Sequence, residues 1–370
     1  MRILFSGRPA YGHLYPLLPL ARAARDSGHR VTIATGPTFV PQLAEFGFDT
    51  RAAGTSIGVA EAEAVQRHPD GPVVAVLATM FADVLARRTL ADLEPMLEVD
   101  RPDLVIYEMS DVGAAAAAFR AGIPAVSVTI GRSMPAEVRT LTAPAFDWLW
   151  DGATPPADLM LGDACLDLWP SGLADPVAAA VPTRFPLRPV PWSAPAPPWS
   201  PPGRPLVYLT LGTVSFHATD VLRAAVDGLS RLPVRVVVAV GPGDPSVLGE
   251  VPGNVQVSQF VPQGRVLAEA DLVVHHGGSG TTLGAAAHGL PQLLLPQGAD
   301  QFGNADVVSA QGSGLALTRD DVMPDVIAEC ARTLLGEPVH RATAQALAAE
   351  IAAMPSPASV LPDLEAFADR

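Results

Sequence analysis

The stretch from Ala270 to Ala305 concentrates residues able to do chemistry. An apolar run ending at His275 leads into His276-Gly277-Gly278-Ser279-Gly280, and Thr281-Thr282 then open a segment rich in small residues. A helix starting there would aim its free amide N–H groups and the positive end of its dipole at whatever lies above the strand end, which makes an anion site. His276 can add a side-chain donor and Thr281 a hydroxyl. The competing reading is an ordinary strand–turn–helix connection whose glycines serve only tight geometry; the paired histidines, the double threonine and the downstream Asp300-Gln301 count against it. A second group surrounds His13, in Pro9-Ala10-Tyr11-Gly12-His13-Leu14 between the first strand and the first helix. An imidazole titrates near neutrality and suits removal of a proton from a hydroxyl, although a lone histidine can equally cap or pack. A histidine base needs a partner that fixes its tautomer. Two carboxylates follow the run Leu104–Tyr107, namely Glu108 and Asp111, and Asp111 also reads as a capping acid of the next helix.

The elements that must carry these residues alternate. In the first half Arg2–Ser6, Arg30–Ala34, Asp103–Tyr107 and Ala125–Thr129 read as buried strands, with helices over Leu14–Ser27 and Ser110–Ala121. In the second half Leu206–Leu211, Val234–Val240, Val255–Phe260 and Leu272–His275 read as strands. Helices are expected at Thr219–Ser230, Gly280–His288, Gln301–Ala310 and Pro324–Leu335. Alternating strands and helices imply βαβ units and parallel sheets. Between the halves the chain runs PLRPVPWSAPAPPWSPPGRP, too rich in proline for a helix or a central strand, and reads as a stiff extended linker. Ligands of open parallel sheets bind beyond the carboxyl ends of the strands, so two such halves are expected to face each other across one cleft.

Composition narrows the partners. The 370 residues are 49% hydrophobic and 17% charged, and the 24 cationic residues are all arginine against 38 acidic ones, a net charge of −14. A nucleic-acid or anionic-membrane surface needs a cationic field, so neither is expected. Cys165 and Cys330 form no metal, redox or disulfide spacing, and a reducing cytoplasm is the simplest reading. The opening residues are too short an apolar run for a signal peptide. Arg120 interrupts the alanine-rich stretch Ala114–Ala118, so a membrane span is not expected. No HExxH, paired CxxC or Asp-x-Asp is present, and no metal site is expected.

Five motifs in order, Gly12–Ala21 (GHLYPLLPLA), Leu211–Thr213 (LGT), Gln259–Gln263 (QFVPQ), His275–Thr282 (HHGGSGTT) and Asp300–Ala305 (DQFGNA), make the chain resemble the family 1 glycosyltransferases of the GT-B fold, in particular the bacterial natural-product enzymes. The resemblance implies an α/β fold with two Rossmann-like domains. The expected division is residues 1–190 for the acceptor, a proline-rich linker at 191–205, residues 206–355 for the nucleotide-sugar donor, and a tail at 356–370 packing back on the first domain. It further implies that Phe260, the backbone of Val261 and Gln263 meet the base, and that His276, Gly278, Ser279, Gly280 and Thr281 hold the diphosphate. Asp300 and Gln301 would take the sugar hydroxyls, and Gly212 and Thr213 would approach the donor from the first loop. His13 would be the general base. Glu108 stands at the position of its usual aspartate partner, one methylene longer, with Asp111 the alternative.

The implied reaction is inverting transfer of a (deoxy)sugar from a nucleoside diphosphate to a hydroxyl of a hydrophobic aglycone such as a polyketide, without a cofactor. Members that use a ribose-containing donor often carry a glutamate eight residues after the phosphate histidine, where Gly284 stands here; a 2′-deoxyribose has no diol to hold, so a thymidine diphosphate sugar is favoured over a uridine one. The apolar stretches Gly71–Leu90 and Gly131–Trp150 would receive the acceptor, with Met80, Phe81, Met134 and Phe146 as candidate contacts. A GT-B nucleotide-sugar epimerase and a non-catalytic auxiliary protein are the competing functions, and a homodimer is left open beside a monomer.

Overall fold

The computed structural model describes residues 1–192, 203–213 and 218–370. Contacts divide them into two compact units, one comprising Met1–Trp169, Ala174–Arg188 and Pro355–Arg370, the other Pro170–Leu173 and Pro189–Met354.

The first unit is built on a seven-stranded sheet of β1 (Arg2–Ser6), β2 (Arg30–Thr35), β3 (Asp49–Ala52), β4 (Leu104–Glu108), β5 (Ala125–Val128), β6 (Ala164–Asp167) and β7 (Thr183–Pro186), in the order 3-2-1-4-5-6-7. All its pairings are parallel. A parallel strand covered on both faces reads as a continuous apolar run, and four of the five residues of β1 and all five of β4 are buried. The helix Val112–Ala121 covers one face. Its small residues permit close approach to the helix Ala86–Asp100: a Cβ on Gly113 would stand 2.4 Å from the Ala86 carbonyl oxygen. Chain order reverses at β1 and β4, whose carboxyl ends flank the topological switch point where such sheets bind ligands.

The second unit repeats the scheme with β8 (Leu206–Thr210), β9 (Arg235–Ala239), β10 (Val255–Ser258), β11 (Leu272–His275), β12 (Gln292–Leu294) and β13 (Gly314–Ala316), all parallel, in the order 10-9-8-11-12-13. The two-residue period is visible in β8. Val207 and Leu209 enter a core shared with Leu222 and Ile327, while Leu206 and Tyr208 pack on the other face with Val266 and Ala285. Its switch point lies at β8 and β11, so Gly212 and the His276–Gly280 loop follow the two strands that flank it.

Several expectations need adjustment. The helix expected over Leu14–Ser27 is two pieces, Tyr11–Leu14 and Leu18–Asp26, with Pro16 in the break. Pro186, read as the start of the proline-rich stretch, is the last residue of the edge strand β7, a position where its missing N–H costs least. Of the linker expected at 191–205, residues 193–202 lie outside the described residues, as does His217. The carboxyl-terminal helix Leu361–Ala368 belongs to the first unit: the Glu365 carboxylate lies 3.2 Å from His29 Nε2, and Phe367 meets Phe185 edge-on. Among the described residues no helix is long and apolar enough to cross a membrane.

Candidate active site

In the first unit the short helix Tyr11–Leu14 follows the β1 loop and presents His13, whose side chain is 22% exposed. Its Nδ1 lies 3.0 Å from Oε1 of Glu108, the last residue of β4 and fully buried. The carboxylate is tightly held, since the Ser110 amide donates to Oε2 at 2.8 Å and the Ser110 hydroxyl donates to Oε1 at 2.7 Å. Burial alone would raise the Glu108 carboxyl; His13, Arg8 and Ser110 outweigh it and hold the group down at about 2. Glu108 is therefore ionised across the neutral range and accepts from Nδ1–H, which leaves the Nε2 lone pair of His13 to receive a proton.

Asp111, the other carboxylate expected beside His13, is turned away. It occupies the N-cap position of the helix Val112–Ala121 without capping through its side chain, and its Oδ2 accepts instead from the Ser6 hydroxyl at 2.7 Å. The correction follows from strand length. Hydrogen bonding of β4 continues through Glu108, so residue 108 still projects at the sheet's end, and the turn after it carries Asp111 back under β1. Two residues that the sequence reading did not select complete the cluster, Ser110 and Arg8. Arg8 is 3% exposed, and its Nε donates to the Ser110 hydroxyl at 3.0 Å. A cation five residues before a candidate base, at the end of the same strand, was the available signal.

The acceptor-side expectations divide. Phe146 is 2% exposed in the core that contains Val105 and Tyr107, and Met80 packs with Ala60 and Leu85, so neither presents a surface to a ligand. The residues are apolar because the interior needs them, not because an acceptor does. Phe81 and Met134 are partly exposed and line the same cores from outside.

In the second unit the helix Ser279–Ala287 begins one residue before the expected Gly280, within the glycine loop, and the Ser279 and Gly280 amides of its first turn have no carbonyl one turn back within it. The His276 ring lies between two glycines. A Cβ on Gly212 would stand 2.4 Å from its Cε1, and one on Gly278 would stand 2.4 Å from its Nε2. Gly212 also takes φ +71°, a conformation that disfavours any side chain. Among the described residues the buried Nδ1 of His276 has no hydrogen-bond partner, a donor or acceptor left to be satisfied by something else. Burial pushes this imidazole down to about 4, so at neutral pH its ring is uncharged, which still allows the side-chain donor role expected of it. His275 is pushed lower, to about 3, again by burial; its Nε2–H donates to Gln292 Oε1 at 2.9 Å and its Nδ1 accepts from the Gly277 amide, a structural role.

The other donor-side residues gather around this loop. The Ser279 hydroxyl, expected on the diphosphate, donates to Asp300 Oδ2 at 2.7 Å and so ties Asp300 to the loop. Asn304, one turn into the helix Gln301–Gln311, donates to the Gly277 carbonyl at 2.8 Å and to Asp300. Gln301 Oε1 accepts from the Gln297 and Gly298 amides and shapes the turn before Asp300. Gln263 Nε2 approaches the Thr281 hydroxyl at 3.3 Å, which brings the start of the helix Gln263–Glu269 to the loop. Phe260 is 55% exposed, Val261 packs against the core, and Thr213 is half-buried beside Gly212. No group of three or more His, Cys, Asp or Glu residues that could hold a metal comes together among the described residues.

Known proteins match this chain over nearly its whole length. The family described as erythromycin biosynthesis protein CIII-like, C-terminal domain, matches residues 223–367. The L-demethylnoviosyl transferase of Streptomyces niveus is 34% identical over 387 residues, covering 99% of this chain and 98% of that protein. The elloramycin glycosyltransferase ElmGT of Streptomyces olivaceus is 32% identical over 378 residues, covering 97% and 96%. The crystal structure of glycosyltransferase VinC in complex with DTDP superposes with a TM-score of 0.84 at 26% identity, covering 100% of both chains. With two doubly wound parallel sheets and relatives aligned from end to end, the chain belongs to the antibiotic glycosyltransferases of the GT-B fold.

Proposed function

We propose that this glycosyltransferase moves a (deoxy)sugar, with inversion, from a thymidine diphosphate donor to a hydroxyl of a bulky hydrophobic aglycone of the polyketide kind, with His13 as the general base. The observation that carries the reading is the 3.0 Å contact between His13 Nδ1 and the buried, ionised Glu108. The acceptor hydroxyl gives its proton to His13 Nε2, and its oxygen attacks the anomeric carbon from the face opposite the diphosphate. The bond from that carbon to the diphosphate oxygen breaks, its electron pair leaving with the diphosphate. Glu108 stabilises the imidazolium that forms.

Loop amides, the helix start at Ser279 and the Thr281 hydroxyl are the groups suited to the diphosphate, together with the unpartnered Nδ1 of His276. Fixed dipoles of this kind need no lysine, which agrees with a chain that has none. Asp300, held by Ser279 and Asn304, is suited to sugar hydroxyls, and the exposed Phe260 ring to a base. Thymidine is favoured at Gly284, which is buried: a Cβ there would stand 3.1 Å from Leu267 Cδ1 and 3.8 Å from Pro191 Cγ, an apolar wall where a ribose diol would find no carboxylate. The DTDP bound to VinC supports the same choice.

A mass-spectrometric screen of nucleotide sugars against hydrophobic acceptors tests the reaction class, and a new sugar isomer formed from donor alone would instead favour an epimerase. Thymidine diphosphate is expected to raise the melting temperature more than uridine diphosphate at equal concentration, and the reverse order refutes the donor assignment. His13→Ala is expected to lose transfer while still binding nucleotide; undiminished transfer removes His13 from the mechanism.

A further inference from the structure

Beneath His13 lies a buried charge cluster larger than a base and its partner require. It comprises Arg8 at 3% exposure, Glu108 at 0% and Asp111 at 2%. Arg8 Nε stands 3.5 Å from Glu108 Oε1 and donates to the Ser110 hydroxyl, which in turn donates to the same carboxylate oxygen that faces His13. A second guanidinium nitrogen donates to the Ser110 carbonyl. The far side of the guanidinium is covered by Phe81, whose ring centroid lies 5.6 Å from Cζ, on a π-helical turn, Thr79–Leu85, of the long helical run behind the site. A buried arginine is costly unless its charge is matched and its donors are satisfied, so this one is held in place by specific partners.

We infer that Arg8, acting through Ser110, is a positioning residue for the transfer reaction: it locks the Glu108 carboxylate against His13 and balances its charge, which favours the form of the pair in which His13 is free to accept a proton. The inference rests on His13 being the base. The charges facing Glu108 are His13 from the Tyr11–Leu14 helix, Arg8 from the β1 loop and Asp111 from the turn after β4. Asp83, on the turn that carries Phe81, is paired with Arg67 and Arg87. A positive charge beside an acid–base pair favours the state with one proton fewer, whichever member holds that proton. Without Arg8 the pair binds its proton more tightly, and base-competent His13 is reached only at higher pH.

The test is the pH profile of kcat for sugar transfer. Arg8→Met is expected to move the acid limb upward by about 1 unit or more, so that turnover on that limb falls about tenfold while the alkaline plateau falls less. Arg8→Lys, which restores charge without the forked geometry, is expected to return the limb toward its wild-type position. A folded Arg8→Met enzyme whose acid limb stays in place overturns the inference, even if its kcat is uniformly lower, because a merely structural arginine would lower the rate at every pH. Should Arg8→Met fail to fold, Ser110→Ala decides in its place: it removes the bridge but keeps the charge, and its acid limb is expected to rise by a smaller step, an unmoved limb again overturning the inference. His13→Ala separates the two levels. If it transfers sugar like the wild type, the base assignment fails; if it is inactive while Arg8→Met leaves the profile in place, only the role of Arg8 fails.

Discussion

Replacing Glu108 by glutamine changes one atom's chemistry and almost no volume, and the surrounding donors dictate how the new amide must sit. The Ser110 backbone N–H donates to Oε2 at 2.8 Å and cannot turn away, so the oxygen of the introduced amide takes that position. The NH2 group then occupies the Oε1 position, 3.0 Å from His13 Nδ1. It donates to Nδ1, which forces the imidazole proton onto Nε2, the nitrogen proposed to accept the hydroxyl proton. Flipping the amide restores the tautomer but sets two donors against each other and leaves the buried Ser110 amide unpaired, at a cost of about 1–3 kcal/mol. Even the flipped form supports the imidazolium with a neutral carbonyl, losing a charge-assisted bond worth about 1.5–3 kcal/mol. The two losses together amount to about 2.5–6 kcal/mol, or about 10²- to 10⁴-fold in kcat. The assay is steady-state formation of glycosylated product, with thymidine diphosphate binding measured on the same preparation. Binding is expected to match the wild type, since the residues proposed to hold the nucleotide belong to the second unit. Asp111→Asn, whose carboxylate meets Ser6 and not His13, is expected to stay within about threefold in kcat, as suits a site with no contact to the base. A Glu108→Gln enzyme within threefold of wild type, or an Asp111→Asn loss as large, would refute the reasoning.

The glycine cradle and the buried histidines give two further predictions. Gly278 has φ −62°, so Gly278→Ala carries no backbone strain and acts through the 2.4 Å approach of its Cβ to His276 Nε2; calorimetry is expected to show thymidine diphosphate binding weakened by about tenfold or more, about 1.4 kcal/mol. Gly212→Ala displaces the same ring and adds about 1–2 kcal/mol of left-handed strain, lowering the melting temperature as well. Wild-type affinity in Gly278→Ala would mean that the His276 ring position does not matter to the nucleotide. Because burial holds His275 and His276 at about 3 and about 4, well below their ordinary 6.5, the unfolded chain binds more protons than the folded one at any pH below 6.5. Stability of the second unit should therefore be untouched by these groups above that pH. It should decline as pH falls from 6.5 toward 4, by roughly 1.4 kcal/mol per unit for each histidine. Urea unfolding of His275→Gln, which keeps a donor for Gln292 but cannot titrate in this range, should show a shallower decline, and an identical slope would count against the burial argument.

How much of this was legible in the chain depends on whether the signal is local. Central strands such as Leu104–Glu108 and Leu272–His275 are covered on both faces and announce themselves as apolar runs. Edge strands such as Asp49–Ala52 and Thr183–Pro186 are short, half-exposed and polar, and are defined by neighbours found elsewhere in the sequence. The same divide separates the functional residues. The glycine loop and His13 follow strand ends and were readable in place, whereas the preference for Glu108 over Asp111 became geometry only once the length of β4 and the position of Ser6 were known. For Arg8 the sequence offers only its place five residues before His13, because nothing in one sequence reveals that a charge is buried.

That same separation explains why the net charge of −14 predicted so little about the chemistry. In the first unit's buried cluster Arg8 offsets Glu108, so this pair adds nothing to that sum. The groups proposed to hold the diphosphate in the second unit are a neutral imidazole, amides and hydroxyls, none of which enters a count of ionised residues. The acidic balance thus bears on what the protein meets in solution, while Arg8 and Glu108 offset each other and the groups proposed for the diphosphate are uncharged. It follows that Arg8→Met, a change of one charge among the 24 basic and 38 acidic residues, should alter the pH dependence of catalysis far more than removal of any exposed arginine, such as Arg231 at its surface pairing with Asp325.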